Sequence, residues 1–354
     1  MRPNPGEIAL RPSERILIAA LEEIDASAAR RVLCTSLGRG QAAASAALRF
    51  PQAQVVCHFL DVYLAAQARA YQSSGPPNLS IICQADFPSD EIDLALLPLT
   101  AAGQAELTRE WLQQAHQLLA LGGRLLAATD NPRDTWLGGQ LQKLCDRVAR
   151  RADDRAALYL AVKTRPLKKA KDFSCEFVFR DRERLVRAVS RPGVFAHRRV
   201  DPGTRDLLEV MDVAPGDRVF DMGCGSGVAA LAAAMRADGV TVYAVDSNPR
   251  AVQCVLQGAA LNGREKIAAR LDADGTCDLP GSYDLFLANP PYYSNYRIAE
   301  IFLDAGRRAL RRGGTIVVVA KRPDWYLAAM PARFERVAAT PVRDYVVISA
   351  VQPS

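Results

Sequence analysis

The chain has 354 residues, 49% of them hydrophobic and 24% charged, with a formal net charge of +6. That length holds two ordinary globular domains, and the composition is neither disordered nor membrane-spanning: no apolar run approaches the ~20 residues of a bilayer span, and the first residues lack a signal-peptide core, which points to the cytoplasm. Eight cysteines (34, 57, 83, 145, 175, 224, 254 and 277) form no Cys-x-x-Cys pair and read as reduced core residues, while His58, His116 and His197 share no metal-ligand spacing, so no metal site is expected.

Residues 1–163 alternate short apolar strands with Ala- and Leu-rich helices. This pattern predicts a mostly parallel sheet with helices on both faces. Its landmarks are a strand and glycine turn at Arg31 to Gly40, a strand running to Asp61, a strand from Ile92 to Thr100, and Leu121-Gly122-Gly123. Asp154 to Lys163 is expected to be the final strand. Residues 164–190 then read as a linker, with a short strand of their own at Phe173 to Phe179. The charge surplus falls here: residues 151–200 hold 14 basic and 6 acidic side chains, against 14 and 15 in 1–150 and 17 and 18 in 201–354. Lys163, Lys168, Lys169, Lys171, Arg180, Arg182 and Arg184 belong to this stretch. A solvated linker would explain them, but a strip that tracks nucleic-acid phosphates is favoured by its position just before the second domain.

Residues 191–354 repeat the alternation. Arg218 to Gly227 read Arg-Val-Phe-Asp-Met-Gly-Cys-Gly-Ser-Gly, a buried strand, a glycine turn and the start of a helix. Gly223, Gly225 and Gly227 permit positive φ and close approach of a ligand to the backbone, with Cys224 as a small residue between them. Asp221 ends the strand where it can engage a ligand amino group. A second strand ends at Asp246 and Ser247, and Asp246 lies 19 residues after Gly227, about where a ribose diol needs a carboxylate. Asp272 and Asp274 follow a third strand, and Asp274 is the better candidate to accept from an adenine amino group.

Asn289-Pro290-Pro291-Tyr292 then closes an apolar strand. The Asn oxygen and the first proline's carbonyl can accept both N–H bonds of a planar amine, the prolines stiffen the turn, and Tyr292 offers a ring face for a flat substrate. A plain Pro-Pro turn at a strand end is the alternative. Phe334 to Val351 reads as a two-strand hairpin that closes the sheet.

In this order, the glycine turn, the acidic strand ends and the Asn-Pro-Pro-Tyr turn resemble those of class I S-adenosylmethionine-dependent methyltransferases of the "small", amino-methylating type. The lead-in Ser190-Arg-Pro-Gly-Val-Phe-Ala-His-Arg-Arg-Val-Asp-Pro-Gly-Thr204 is similar to that of the bacterial ribosomal RNA guanine-N2 methyltransferases, which carry two such domains in tandem. The resemblance implies two Rossmann-like domains, a donor held by Asp221, Gly223, Gly225, Asp246 and Asp274, and a cofactor pocket lined from Phe195 to Thr204. It implies a target amine held by Asn289 to Tyr292, and ribosomal RNA or a ribosomal subunit as partner. Tyr292 and Tyr293 depart from the Phe-His that follows the prolines in that group. Adenine N6 in RNA or DNA and a protein glutamine amide are therefore alternative targets, and a non-catalytic RNA-binding assembly factor is a further reading.

Against this pattern residues 1–163 look like a degraded copy. Thr35 stands for Asp221, Asp61 for Asp246, and Pro98-Leu99-Thr100 for Asn-Pro-Pro. This half is expected neither to bind the donor nor to catalyse, and to bind RNA, shape the substrate groove or aid folding and pairing.

Overall fold

Two alternations of strand and helix give two separate sheets. The structure, a computed structural model, describes residues 10–24, 29–291 and 296–354. The chain divides into a unit of Met1–Phe173 and a unit of Ser174–Ser354. The first holds α1 (Pro12–Glu23), β1 (Arg31–Thr35), α2 (Gln41–Arg49), β2 (Gln54–Phe59), α3 (Val62–Tyr71), β3 (Leu79–Cys83), β4 (Ile92–Leu99), α4 (Ala105–Leu118), β5 (Leu119–Thr129), α5 (Trp136–Leu141), β6 (Val148–Ala152) and β7 (Ala157–Val162). The second holds β8 (Cys175–Asp181), β9 (Arg184–Ser190), α6 (Pro202–Val210), β10 (Arg218–Met222), α7 (Val228–Arg236), β11 (Thr241–Asp246), α8 (Pro249–Leu261), β12 (Ile267–Leu271), β13 (Tyr283–Ala288), α9 (Arg297–Ala309), β14 (Leu310–Ala320), α10 (Asp324–Ala329), β15 (Glu335–Val342) and β16 (Tyr345–Val351).

The sheet orders are β3-β2-β1-β4-β5-β7-β6 and β12-β11-β10-β13-β14-β16-β15, the same path twice. In each sheet the first four pairings in this order are parallel and the last two antiparallel, so β7 and β16 run against the other strands. Parallel strands covered on both faces need continuous apolar runs, and β4 and β13 supply them. Apolar clusters fill both faces of each sheet. α7 can lie flat on its sheet because Ala-Ala-Leu-Ala-Ala-Ala has no bulk to hold it away. The expected doubly wound architecture is thus present in both halves.

The closing hairpin was expected only in the second unit, yet β6 and β7 form one in the first. Arg150, Arg151 and the following acids disguise β6, an exposed edge strand whose charges protect the edge from further pairing.

The expected linker 164–190 is divided by the unit boundary. Lys171 pairs through its backbone with Gln113 of α4, and Phe173 is buried in the first unit. Residues 175–190 form the hairpin β8–β9 of the second unit. This hairpin is clamped from behind: Asp181 receives both Nε and Nη2 of Arg236, a pair almost wholly out of solvent. Asn262 also brackets the backbone of Arg187 with two hydrogen bonds.

The two units correspond residue by residue from β1 to α3 and from β10 to α8. Matched elements begin at Arg31 and Arg218, Gln41 and Val228, Gln54 and Thr241, and Val62 and Pro249. Left-handed Gly40 (φ 77°) and Gly227 (φ 80°) precede the equivalent helices. This register corrects two sequence pairings. Cys34, not Thr35, stands where Asp221 is; Phe59, not Asp61, stands where Asp246 is. Asp61 instead caps α3, as Asn248 caps α8. Pro98 occupies the place of Asn289, as expected.

Candidate functional site

In a doubly wound sheet the carboxyl ends of the central strands open beside the loops that follow them, and ligands sit there. In the second unit β10, β11 and β13 end at Met222, Asp246 and Ala288. One cavity lies at these ends. It is lined by Phe195, Ala196, Asp201, Thr204, Leu207, Asp221, Gly223, Cys224, Gly225, Ser226, Val228, Ala229 and Asn289. The structure therefore brings together Phe195, Thr204, Asp221, Gly223, Cys224, Gly225 and Asn289 of the expected set.

The turn after β10 is shaped by its glycines, all at positive φ (69°, 53° and 80° at 223, 225 and 227). At Gly223 a side chain would meet the Phe302 ring at 3.0 Å, and at Gly227 it would meet Val255 at 2.9 Å. The N–H groups of Gly223 and Cys224 donate to the carbonyl of Val245 (2.8 and 3.1 Å). Asp246 does not line the cavity. Its Oδ2 accepts from Gly225 N (2.8 Å) and its Oδ1 from Asn248 N (2.9 Å), so it fixes the far side of the turn. Ser247 lies beside it, partly exposed.

Asp221 is buried, and its Oδ2 accepts from Ala230 N (3.1 Å). Burial pushes its carboxyl up to about 7, against the pull of the Ala230 N–H and with help from the charge of Asp246. Burial first, then Asp246 and Asp221, also drive the Cys224 thiol well up, which makes it a packing residue and not a nucleophile.

The lead-in segment is pinned across the start of α8. Asn248 Nδ2 donates to Gly193 O (2.8 Å), the fully buried Arg250 donates Nη1 to Pro192 O (2.7 Å), and Ser190 Oγ lies 2.8 Å from His197 Nδ1. These bonds set Phe195 at the cavity while leaving its ring largely exposed. Sequence reading missed Asn248 and Arg250; the pattern Asn-Pro-Arg at a helix start was their one visible signal.

Asn289 emerges from β13, its Nδ2 donating to Asp201 Oδ2 (2.9 Å) and Thr204 Oγ1 (3.0 Å). Pro290 is buried and Pro291 partly so. Tyr292 and Tyr293 lie outside the described residues. Asp201 lies within the segment expected to line the cofactor pocket, and it does line the cavity; its bond to Asn289, 88 positions away, has no local signal.

The third-acid expectation shifts. Asp274 is exposed, its carbonyl taken by Arg308, whereas Asp272 is tied to the end of β11 through its N–H to Asp246 O (3.0 Å). The side chain of Asp272 is engaged by Asp274 N and Thr276 N within its own turn. Asp272 is thus the acid nearer the strand ends.

The six basic residues are divided between the two units. Lys168, Lys169 and Lys171 are exposed on the first unit; Arg180, Arg182 and Arg184 are exposed on the hairpin of the second. Lys163 is structural, buried with its Nζ on the carbonyls of Gln117 and Leu119. Arg180 and Arg182 do meet Arg205 of α6 around a groove floored by Phe179, Val200 and Leu208. Among the described residues no three His, Cys, Asp or Glu side chains gather as a metal site, no cysteines are joined, and no helix is long and apolar enough to cross a membrane.

Residues 186–349 match the family model "Methyltransferase small domain". A stretch of 139 residues is 37% identical to ribosomal RNA small subunit methyltransferase C of Pseudomonas entomophila, covering 38% of this chain and 41% of that protein. A similar stretch is 40% identical to the Chromohalobacter salexigens protein of the same name, covering 37% and 40%. The chain thus aligns with less than half the length of these curated relatives. Its fold is similar throughout to that of the T. thermophilus 16S rRNA N2 methyltransferase RsmC, solved in complex with AdoMet and guanosine: TM-score 0.77 over 99% of this chain and 96% of that one, at 21% identity. The whole chain therefore has the fold of that RsmC structure, and residues 186–349 are similar to the methyltransferase small domain family.

Proposed function

We propose that the second unit transfers a methyl group from S-adenosylmethionine to the N2 amine of a guanine in small-subunit ribosomal RNA, and that the first unit neither binds the donor nor catalyses. The observation that carries this reading is the single cavity joining the glycine turn, buried Asp221 and Asn289. The relatives named for ribosomal RNA methylation support the substrate class. The AdoMet and guanosine of the RsmC structure support the donor and the base over adenine or a protein amide. Eight unjoined cysteines suit the cytoplasm, where that RNA is found.

The residues fit a cationic donor. Asp221 is a buried carboxyl that accepts one backbone N–H, with no cation beside it among the described residues, an arrangement that leaves it partly protonated near neutrality and ready to ionise when a positive group arrives. Asp221 and the turn at Gly223 and Gly225 would hold the donor's amino-acid end, with Asp246 and Asp272 toward its nucleoside. When bound, the donor supplies an already electrophilic methyl carbon. The chain's own task is placement, so no strong base is needed. Asn289 Oδ1 and the carbonyl of Pro290 accept the two N–H bonds of the amine and turn its lone pair toward the donor side. A base in a helix must first be extruded, and Tyr292 is the residue proposed to stack on it. The extra proton on nitrogen leaves to water. Arg180, Arg182, Arg184 and Arg205 hold RNA phosphates along the hairpin and α6, with Lys168, Lys169 and Lys171 as further contacts from the first unit.

Incubation of the protein with methyl-labelled donor and ribosomal RNA, isolated subunits or a protein extract, followed by digestion, tests this. Label in N2-methylguanosine is expected. Label in N6-methyladenosine or in protein overturns the substrate, and donor binding without label in any of them overturns the activity.

A further inference from the structure

We infer that Asp201 is a positioning residue: it fixes which way the side-chain amide of Asn289 faces and polarises it toward the substrate amine. This rests on the role given to Asn289 above. A primary amide nitrogen has two hydrogens, and in Asn289 both are engaged, one by Asp201 Oδ2 and one by Thr204 Oγ1. A carboxylate can only accept. If the amide turned over, its oxygen would face Oδ2 with no proton between them. The geometry therefore leaves Oδ1 as the group Asn289 can offer a ligand, and Oδ1 has no partner among the described residues. Asn289 lines the same cavity as Asp221 and Gly223.

Asp201 is held in turn. As N-cap of α6 its Oδ2 also accepts from Thr204 N (3.0 Å), and Pro202 sets the first turn behind it. A side chain at Gly203 would stand 3.1 Å from that oxygen and 3.2 Å from the Tyr345 ring. One carboxylate oxygen thus ties the start of α6 to the tip of β13. Its negative charge, passed through the amide, makes Oδ1 a stronger acceptor as the amine nitrogen becomes positive, which favours the transition state over the ground state. The first unit shows the contrast: Arg11 occupies the N-cap of α1 and makes no side-chain cap, and Pro98 replaces Asn289.

The test is an exchange. Asn289→Asp sets two carboxylates against each other, so they share a proton; the folded-state affinity for that proton is raised, and the melting temperature of this variant falls as pH rises from about 5 to 8. Its kcat is expected to drop by about 100-fold. Adding Asp201→Asn restores a donor-to-carboxylate bond in the reverse sense. The double variant should regain a melting temperature flat with pH and at least about tenfold in kcat, with the KM for RNA little changed. Asp201→Asn alone keeps the helix cap and should lose about tenfold in kcat with an unchanged melting temperature. A double variant no better than Asn289→Asp in kcat overturns the proposal, even where its melting temperature recovers. If wild-type protein labels no guanosine, the functional reading fails, and the melting curves alone decide whether the two side chains pair.

Discussion

The two units share one path of chain, yet the same turn is open in one and filled in the other. In the second unit the turn after β10 faces a cavity with Asp221 and Asn289 on its walls, and α6 brings Thr204 to it. In the first unit, α1 starts with Pro12 as α6 starts with Pro202, which sets Glu14 at the place of Thr204. The Glu14 side chain is fully buried and reaches the turn. It accepts from Ser36 Oγ and Leu37 N, while Ser36 Oγ accepts from Gly38 N and Gly40 N (3.0 Å each). A carboxylate of the chain itself thus sits over this turn, at the place where Thr204 lines the cavity of the second unit. Both acids are gone as well, replaced by Cys34 and Phe59. The sheet, the glycine N-cap and the helices are thus the same with or without the strand-end acids, because those parts depend on apolar packing and left-handed glycine, not on the polar groups at the strand ends.

Substitutions at matched positions, and pH, would break or sharpen this contrast. Asn289→Ala should lower kcat about 1,000-fold and leave donor affinity within about threefold, since it removes an acceptor used by the amine. Pro98→Ala, at the matching position of the first unit, should leave kcat unchanged; steady-state kinetics on ribosomal RNA compare the two. Asp246→Ala frees Gly225 N and Asn248 N and should weaken donor binding by about 30-fold, measured by calorimetry. The effect of pH comes next. Donor binding favours ionised Asp221, whose carboxyl sits at about 7 in the free protein. Affinity should rise by up to about tenfold per unit below pH 7 and level off above it, and Asp221→Asn should abolish the slope. In the free protein the sign for stability is opposite: the folded state holds this proton more tightly than the unfolded chain, so the contribution is present at low pH and is lost as pH climbs from 3.8 toward about 7. Smallest is Glu14→Ala, which should cost about 1–3 kcal/mol of stability, read as a fall in melting temperature, with no change in donor stoichiometry.

Much of this was legible in residues that act locally. Gly-x-Gly-x-Gly after a buried strand, an acid at the next strand end and Asn-Pro-Pro all mark backbone positions, and sequence spacing carries such information. What stayed hidden depends on side chains that meet across the fold. Asp201 and Asn289 meet only when the start of α6 is brought to the tip of β13. Glu14 reads as an ordinary helix-start acid until the turn folds over it. The pairing of Asp61 with Asp246 misled because both acids follow strands, while the caps of α3 and α8 show that Asp61 has the task of Asn248. The boundary at 173/174 was obscured by charge, since the arginines of the β8–β9 hairpin extend the basic run that begins on the first unit.

The most direct measurement is a calorimetric titration of the full chain with S-adenosylhomocysteine, in the wild type and in an Asp221→Ala, Asp246→Ala double variant. One ligand per chain in the wild type and none in the variant is the predicted result. Two per chain, or binding that survives in the variant, would place a working site in the first unit and contradict the division of roles.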